Sequence, residues 1–178
     1  LPVYTTLYLP PWLRLMGARI APRAELSTVW KFAPELIDVG AESFFADGSI
    51  VGGRRVHRGT FQVSRNRIGR RSFVGNGAVL PVGAGLGEGC LLGVQSIPPR
   101  EPASTPDGTD WLGAPSFRLT HRAKVGSFDD TVTFHPTRWL YAQRALIDAL
   151  RILIPGYIGL SSFAAWVAIM YVAFTRWG

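Results

Sequence analysis

A six-residue repeat is the feature that most constrains the fold of this 178-residue chain. Each unit opens with a bulky apolar residue, usually carries Gly or another small residue in second place, and usually has Ser, Ala or Cys in fifth place. The regular units, read from Val39 and again from Ile68, are VGAESF, FADGSI, VGGRRV, IGRRSF, VGNGAV, LPVGAG, LGEGCL and LGVQSI. A fixed short period of this kind indicates a solenoid.

Three such units make one triangular coil, in which each side is a short strand and each corner is a tight turn. Neither an α-helix nor an amphipathic antiparallel strand explains a period of six residues. Two looser units, IAPRAE at Ile20 and LSTVWK at Leu26, extend the predicted β-helix over residues 20–98. The small second residue is expected to ease the turn at the corner, because Gly lacks Cβ. The first-place residues are predicted to stack in columns inside the prism: Val39, Phe45, Val51, Ile68, Val74, Leu80, Leu86 and Leu92.

Two segments break the repeat. HRGTFQVSRNR, at residues 57–67, cannot continue a flat side and is predicted to be an extruded loop, a place where solenoids often bind ligands. Residues 99–135 lose the period and are rich in Pro, Ser, Thr and Asp, so we predict an irregular linker there.

The two ends of the chain are apolar. Residues 152–175 contain no charged side chain, and about 20 apolar residues suffice to cross a bilayer, so we predict a transmembrane helix at 152–176. Residues 136–151 repeat apolar positions at helical spacing and are predicted to form an amphipathic helix at the membrane surface. Residues 1–19 are apolar but interrupted by Pro10 and Pro11, and are predicted to lie close to the membrane. Because the chain opens at Leu1 without a signal-peptide pattern, we expect it to be part of a longer protein.

The composition narrows the possible partners. A net charge of +7 suits nucleic acid, anionic lipid or a phosphate-bearing ligand. Without an aromatic stacking platform or a known reading motif, we expect no nucleic acid partner. Cys90 is the one cysteine and the three histidines are scattered, so we expect neither a disulfide nor a metal site. Arginines before the final helix favour a cytoplasmic β-domain.

His57 is the first candidate for chemistry, because it stands where the regular coil meets the extruded loop. Imidazole is the usual general base near neutral pH, so His57 is predicted to be catalytic, although a surface or packing histidine is the alternative. Asn66 is a candidate donor to a developing oxyanion, and Asn76 a candidate for binding substrate. Asn is also a common turn residue, which is the structural interpretation of both.

Charged residues near the loop are candidates for binding. Glu42 and Asp47 are predicted to orient His57 or to bind a substrate amine, and the alternative is that they are exposed corner carboxylates without a catalytic role. Guanidinium groups suit phosphates, and the alternative for them is a solvated face or a contact with anionic lipid. The residues predicted to bind the phosphates of a cofactor are Arg58, Arg65, Arg67 and Arg70.

The hexads resemble those of the hexapeptide-repeat acyltransferases, which are left-handed β-helices, commonly trimers with a histidine base and active sites between prisms. The left hand of the coil is taken from this resemblance alone. The segments PVYTTLYLPPWLRLMGARI, ESFFADGSIVGG, RVHRGTFQ, RIGRRSFVGN and LGAPSFRL, followed by an apolar helix, resemble the C-terminal membrane region of peptide synthetases of the ε-poly-lysine synthetase type. That resemblance covers nearly the whole chain.

The second resemblance implies a bacterial inner-membrane domain that forms amide bonds between amino acids. It further implies that a carrier domain delivers the aminoacyl group as a phosphopantetheine thioester after activation by an adenylation domain, with no tightly bound cofactor. Sibling β-helix domains or further copies of the chain are possible neighbours. Neither adenylation nor carrier motifs occur in these 178 residues. Two other functions stay open: an acetyl-coenzyme A dependent O-acetyltransferase, and a non-catalytic scaffold that docks carrier domains at the membrane.

Overall fold

The computed structural model describes residues 3–31, 33–53, 55–120, 129 and 133–177. The described part is mainly β, with a short helix before the strands and a long one after them. The helices are α1 (Leu9–Leu15) and α2 (Arg138–Trp177), and a 3-10 turn covers Pro34–Leu36. The strands are β1 (Arg19–Ile20), β2 (Glu25–Leu26), β3 (Val29–Trp30), β4 (Ile37–Val39), β5 (Phe44–Phe45), β6 (Ser49–Val51), β7 (Arg55–His57), β8 (Thr60–Gln62), β9 (Asn66–Ile68), β10 (Phe73–Val74), β11 (Val79–Leu80), β12 (Gly85–Leu86), β13 (Leu91–Leu92), β14 (Asp110–Leu112) and β15 (Phe117–Leu119).

Parallel sheets form the three faces of a prism. Face A has the strand order β1-β4-β9-β12, face B contains β2, β5, β10, β13 and β14, and face C has the order β3-β6-β11. Consecutive strands of the chain visit faces A, B and C in turn, so each coil adds one strand to each face. The predicted mainly β solenoid with parallel sheets is confirmed, while the left hand of the coil stays a prediction.

The first-place residues fill the interior. On face A, Val39 pairs in register with Ile68, which pairs with Leu86 one coil further on. The column on face B joins Phe45, Val74 and Leu92 in the same way. All eight residues predicted to stack are at most 4 % exposed, and they belong to one core cluster. The columns bury apolar surface continuously, which is the driving force that holds short strands together.

The glycines in second place have a structural role that differs from the predicted easing of the turn. Gly40 and Gly69 are not in a left-handed conformation; a Cβ on Gly69 would lie 2.4 Å from the carbonyl carbon of Gly87 in the next coil. The left-handed residue of the corner is the fourth one, as at Glu42 with φ 61° and Arg71 with φ 54°. The small second residue therefore permits close approach of neighbouring coils, and the fourth residue makes the turn.

A ladder of side-chain hydroxyls explains the fifth place. Ser43 Oγ donates to the carbonyl oxygen of Gly69 over 2.8 Å and accepts from the backbone N–H of Ser72 over 3.2 Å. Ser72 Oγ repeats the pattern one coil further on, with the carbonyl oxygen of Gly87 at 2.7 Å and the N–H of Cys90 at 3.3 Å. These side chains are 1 % exposed, so the ladder satisfies corner groups that water does not reach.

The coil continues into the segment predicted as an irregular linker. Ser104 bridges to Gly85 on face A, and β14 pairs in parallel with β13 on face B before β15 turns back antiparallel. The hexad TPDGTD, which starts at Thr105, was not predicted from the sequence because Thr takes the place of the apolar first residue. Pro106, Gly108 with φ 64° and the buried Thr109 nevertheless occupy the second, fourth and fifth places.

The segment predicted as a loop at 57–67 contains a β-hairpin that begins at Arg55, before the predicted loop, and ends at Gln62, before the loop was predicted to end. Strands β7 and β8 pair antiparallel from Arg55 to Gln62, whereas β9 already lies on face A and pairs with β4. The extruded part therefore leaves the prism after Val51 and returns at Asn66.

Helix α1 closes one end of the prism, and α2 follows the strands. Leu9 and Leu13 of α1 are buried in the core cluster, so α1 caps the first coil. Residues 138–177 form one helix without a break between the predicted amphipathic and transmembrane segments, and Pro155 lies inside it. From Arg138 to Arg176 this helix is long and apolar enough to cross a membrane. Its most apolar 18-residue stretch has a mean hydropathy of 1.8 and is not buried against the rest of the described chain.

Candidate functional site

The residues predicted to carry chemistry lie on three different edges of the prism. The edge between faces C and A, called edge CA, carries the hairpin with His57 and Arg58, which returns to the coil through Arg65. The edge between faces A and B, edge AB, carries Glu42 and Arg70. The edge between faces B and C, edge BC, carries Asp47 and Asn76. One copy of the chain therefore does not gather all the predicted residues into one pocket.

His57 lies at the tip of the hairpin. The turn from His57 to Thr60 has Arg58 at φ 47° and Gly59 at φ 75°, which is the geometry of a two-residue hairpin turn of type I′. Thr60 Oγ1 donates to the carbonyl oxygen of His57 over 2.7 Å, and the imidazole forms no hydrogen bond or ion pair within the described residues. The imidazole is exposed to solvent, so His57 is accessible to a substrate or to a neighbouring molecule.

The hairpin exposes apolar side chains on one of its two faces. Val56 and Phe61 form a cross-strand pair and are 72 % and 69 % exposed. Alternation along the strands places His57 and Thr60 on the opposite face. An isolated two-stranded ribbon with exposed apolar groups is a weak structure in water, and contact with another surface would stabilise it.

Asn66 has a structural role in this geometry. Its side chain is 1 % exposed, and Nδ2 donates to the carbonyl oxygens of Pro81 and Ala84, each at 2.7 Å. Both amide hydrogens are therefore used to hold the turn of the next coil at edge CA. Oδ1 has no partner in the described part of the chain and packs against Gly52, where a Cβ would lie 2.4 Å away. No hydrogen of the Asn66 side chain is left to stabilise an oxyanion.

A basic cluster surrounds Asp38 on face A, beside edge CA. Arg65 donates to Asp38 Oδ1 over 2.9 Å, while Arg19 Nε and Arg67 Nε lie 3.9 Å and 3.7 Å from the same carboxylate. The side chains of Arg19 and Arg67 are 74 % and 78 % exposed. Three guanidinium groups meet one carboxylate, so this face is positive. A shallow groove of about 490 Å³, wide open to solvent, lies along it and is lined by Arg19, Ile20, Ala21, Asp38, Val39, Gly40, Arg67 and Ile68.

Edge AB carries a second cluster, centred on Glu42. Its carboxylate is 4 % exposed and accepts from Arg71 over 2.7 Å, Arg70 over 3.0 Å and Arg23 over 3.2 Å. The hydrogen bond from Arg71, then that from Arg70, lowers the pKa of Glu42 to about 2. His135, which precedes α2, contacts Arg23 and lies 3.7 Å from Glu42. Glu42 is thus occupied by cations of its own chain and is closed to a substrate amine.

Edge BC is the plainest of the three. Asp47 accepts from the hydroxyls of Ser27 and Thr28, and the bond from Ser27, then that from Thr28, lowers the pKa of Asp47. Asn76 is exposed, and its carbonyl oxygen accepts from the N–H of Gln95 over 2.8 Å. Both residues stabilise corners, and neither lies beside His57.

The residues at the centre of these clusters that the sequence analysis passed over are Arg19, Arg23, Asp38 and His135. A signal was present for three of them. Arg19, Asp38 and Arg67 stand directly before a first-place apolar residue of successive coils, and Arg23, Glu42 and Arg71 all stand in fourth place. Aligning the hexads by coil, rather than in chain order, places each set in one vertical row. His135 lies outside the repeat and gave no such signal.

The described residues hold no group of three or more His, Cys, Asp or Glu side chains that could bind a metal ion. Cys90 is buried and lies within the corner column, where its thiol is 3.1 Å from the carbonyl oxygen of Pro106.

Comparisons with known proteins add one sequence relative. No known family model matches the chain. A delta-poly-L-ornithine synthetase of Acinetobacter baumannii (strain AB307-0294) is 34 % identical over 158 residues, or 89 % of this chain. The chain spans only 12 % of the length of that relative.

Two crystal structures of AntD, an N-acyltransferase from Bacillus cereus, align at 10 % identity. The S84A mutant with dTDP-4-amino-4,6-dideoxyglucose and coenzyme A gives a TM-score of 0.38 over 82 % of this chain and 99 % of AntD. The complex with dTDP and 3-hydroxybutyryl-CoA gives 0.39 over 79 % and 98 %. These TM-scores are too low to carry an argument about function, so the sequence relative alone bears on it.

Proposed function

We propose that this chain is an acyl-transferring domain of a membrane-bound peptide synthetase and that it forms amide bonds between amino acids. The observation that carries the proposal is its likeness, over 158 residues, to a protein named as a poly-ornithine synthetase. An exposed histidine on the hairpin of edge CA and the positive surface of face A support it, because acyl transfer from a phosphate-bearing donor needs a base and a cationic surface. The resemblance to ε-poly-lysine synthetases is a finer proposal, as the relative is named for ornithine.

In the proposed reaction His57 is the general base. The amine of one amino acid attacks the carbonyl carbon of an aminoacyl thioester, while the imidazole takes the proton that the amine loses. A C–N bond forms and the C–S bond breaks, and the leaving thiolate takes a proton to become the free thiol. Since Asn66 is committed to the corner of the coil, the oxyanion depends on backbone N–H groups or on a neighbouring domain.

The cluster around Asp38 is the proposed place for the phosphate of the donor. Arg19 and Arg67 are largely exposed and lie at the edge of the groove, so both can turn toward a phosphate without leaving a buried partner. Arg65 is held by Asp38 and fixes the hairpin to face A. Arg58 lies at the hairpin tip beside His57. Phosphopantetheine of a carrier domain and coenzyme A share this phosphate chemistry, and we propose the carrier as the source.

Because the candidate residues lie on three edges, one copy of the chain does not form a complete pocket around His57, and a neighbouring domain at edge CA could complete it. We propose that a sibling β-helix domain, or a second copy, covers Val56 and Phe61 and supplies the other wall of the pocket around His57. The left-handed winding expected from the acyltransferase resemblance belongs to the same proposal.

We also propose that α2 anchors the domain in the bacterial inner membrane with the coil in the cytoplasm. Three arginines, Arg138, Arg144 and Arg151, precede the apolar stretch and one, Arg176, follows it. This asymmetry favours the cytoplasm for the side that carries the coil.

The test uses the full-length parent protein in native membranes. Its carrier domain is loaded with a radiolabelled amino acid, and amide products are compared between wild type and His57→Ala. Loss of product with intact loading supports the proposal. Turnover of acetyl-coenzyme A without a carrier would instead identify an O-acetyltransferase. Unchanged product with carrier binding retained would identify a docking scaffold, and either result overturns the proposal.

A further inference from the structure

We propose that α1 is a second membrane contact, and that the end of the prism capped by α1 rests on the lipid surface. The proposal rests on the proposed membrane span of α2. It is argued from the contacts that residues 134–148 make: as the chain approaches the apolar part of α2, its partners lie in successively earlier coils and finally in the segment before α1.

The contacts move steadily toward the N-terminal end of the prism as the chain approaches the apolar stretch. The guanidinium carbon of Arg71, in the third coil, lies over the ring of Phe134, 4.4 Å from the ring centroid. His135 contacts Arg23 in the first coil and lies 3.7 Å from Glu42 in the second. Arg144 then pairs with Glu25 of the first coil over 2.7 Å.

The last two contacts involve the segment just before α1. The hydroxyl of Tyr8 donates to the carbonyl oxygen of Ala145 over 3.0 Å, and the backbone N–H of Leu7 donates to Asp148 Oδ2 over 2.8 Å. Asp148 is 6 % exposed, so this bond is shielded from water. Ile152, where the apolar stretch begins, follows Asp148 by one helical turn, or about 6 Å of rise.

This order fixes which end of the prism faces the bilayer. The N-terminal segment is the part of the domain that lies nearest to the start of the span, and the later coils lie progressively further along the helix from it. An α-helix of this length is stiff, so its direction carries over to the coil that it holds.

The surface of α1 suits that position. Its inner side, with Leu9 and Leu13, is buried in the core, while its outer side carries apolar side chains beside the exposed Arg14. Trp12 is 46 % exposed and Leu15 84 %, and Met16, directly after α1, is 42 % exposed. Apolar side chains of this kind enter the boundary between headgroups and acyl chains, and Trp prefers that depth. Lipid headgroups are the proposed occupant of this apolar patch because Leu7 and Tyr8, directly before α1, bond to Asp148 and Ala145 of α2, about one helical turn before its apolar stretch begins.

The patch differs from the exposed hairpin on edge CA. Val56 and Phe61 project from the side of the prism, so a prism standing on α1 would hold them away from the lipid surface. The lipid contact therefore leaves the hairpin free for a protein neighbour.

Site-specific fluorescence in vesicles tests the proposal. Cys90→Ala removes the native thiol, for which Ala78 in the same hexad position is the precedent. Single cysteines at Leu15→Cys, Val94→Cys and Leu160→Cys carry a polarity-sensitive dye in vesicles of phosphatidylcholine and phosphatidylglycerol. Val94 is the matched control, since it is 60 % exposed but lies on the fourth coil. Leu160, 70 % exposed on α2, reports the span itself.

We expect a nitroxide placed near the lipid headgroup to quench the dye at position 15 several times more than the dye at position 94. Equal quenching at positions 15 and 94 overturns the contact, and so does a dye at position 15 that is shielded from water without being quenched, since that indicates a protein partner. A dye at position 160 that deep nitroxides do not quench shows separately that the span fails. Met16→Cys repeats the measurement if Leu15→Cys lowers the unfolding temperature.

Discussion

Arg71 Nε lies 2.7 Å from Glu42 Oε2, and these two residues stand in the same place of successive coils. Both adopt the left-handed conformation that turns edge AB. Because Arg71 and then Arg70 hold the pKa of Glu42 at about 2, against an ordinary value of 4.5, the folded protein binds this proton less tightly than the unfolded chain does. The stability that Glu42 contributes is fully present above about pH 4.5 and is lost as the pH falls toward about 2.

Glu42→Gln should therefore lower the unfolding temperature most at neutral pH, because three guanidinium groups lose their carboxylate. The difference from wild type should shrink between about pH 4.5 and about pH 2. Thermal unfolding in detergent, followed by circular dichroism over this range, measures the difference. The exposed Glu88→Gln is the matched control and should not show the same convergence. A difference independent of pH would contradict the ion cluster.

Asn66→Ala should destabilise the coil. The substitution leaves the carbonyl oxygens of Pro81 and Ala84 without their buried donor, a loss of about 1–3 kcal/mol for groups away from water. Asn76→Ala, at an exposed corner, should change stability by no more than about 0.5 kcal/mol. Chemical denaturation of both variants compares them directly. Equal stability of the two variants would return Asn66 to the list of possible oxyanion donors.

Gly69→Ala tests the spacing between coils. An added Cβ would lie 2.4 Å from the carbonyl carbon of Gly87, and backbone atoms can yield only by separating two coils, which should cost about 1–3 kcal/mol or more. Gly53→Ala is the control, since its conformation is not left-handed and the nearest atom to an added Cβ lies 3.8 Å away. The midpoint of chemical denaturation should fall for the first variant and stay nearly constant for the second.

The coil could be predicted from the sequence because its rule is local and repeated. A column such as Val39, Ile68 and Leu86 requires only that a bulky side chain recur at the right interval. The hexad at Thr105 was missed because Thr105 takes the apolar first place and its hydroxyl bonds to the N–H of Gly87 and to Cys90 Sγ, and no hydropathy pattern records that exchange.

The candidate site was less predictable, because proximity in sequence differs from proximity on a prism. Asn66 and Glu42 resembled site residues next to the hairpin, but one holds a buried corner and the other is enclosed by arginines. Which of three edges a residue occupies depends on its place within the hexad and on its coil. The direction of the extruded hairpin and the fold-back of His135 onto Arg23 depend on tertiary contacts that the repeat does not encode.

Removing the Arg67 guanidinium should weaken donor binding. Arg67→Gln takes one exposed cation from the face A groove, and a hydrogen bond to a charged group contributes about 1.5–3 kcal/mol. We expect the KM for the loaded carrier to rise by roughly tenfold, with a smaller change in kcat, because a phosphate is held alike in the ground and transition states. Arg118→Gln, exposed on β15, is the charge-matched control. Equal effects of the two variants would point to general electrostatics rather than a site.

His57→Ala should reduce amide formation by about 10²–10⁴-fold, the usual contribution of a positioned general base. The fall should appear in kcat, whereas loading of the carrier and the unfolding temperature should stay at wild-type values, because His57 is exposed and its imidazole forms no hydrogen bond within the described residues. Thr60→Ala is the matched control: it removes the hydroxyl that bonds the carbonyl oxygen of His57 but leaves the imidazole in place. If kcat falls as much in Thr60→Ala as in His57→Ala, the reaction depends on the shape of the hairpin and not on the imidazole as a base. Raising the pH should not restore the activity of His57→Gln, because the amide side chain cannot accept the proton that the amine loses. Activity of His57→Ala within a few-fold of wild type would remove His57 from the reaction and leave the hairpin as a docking element.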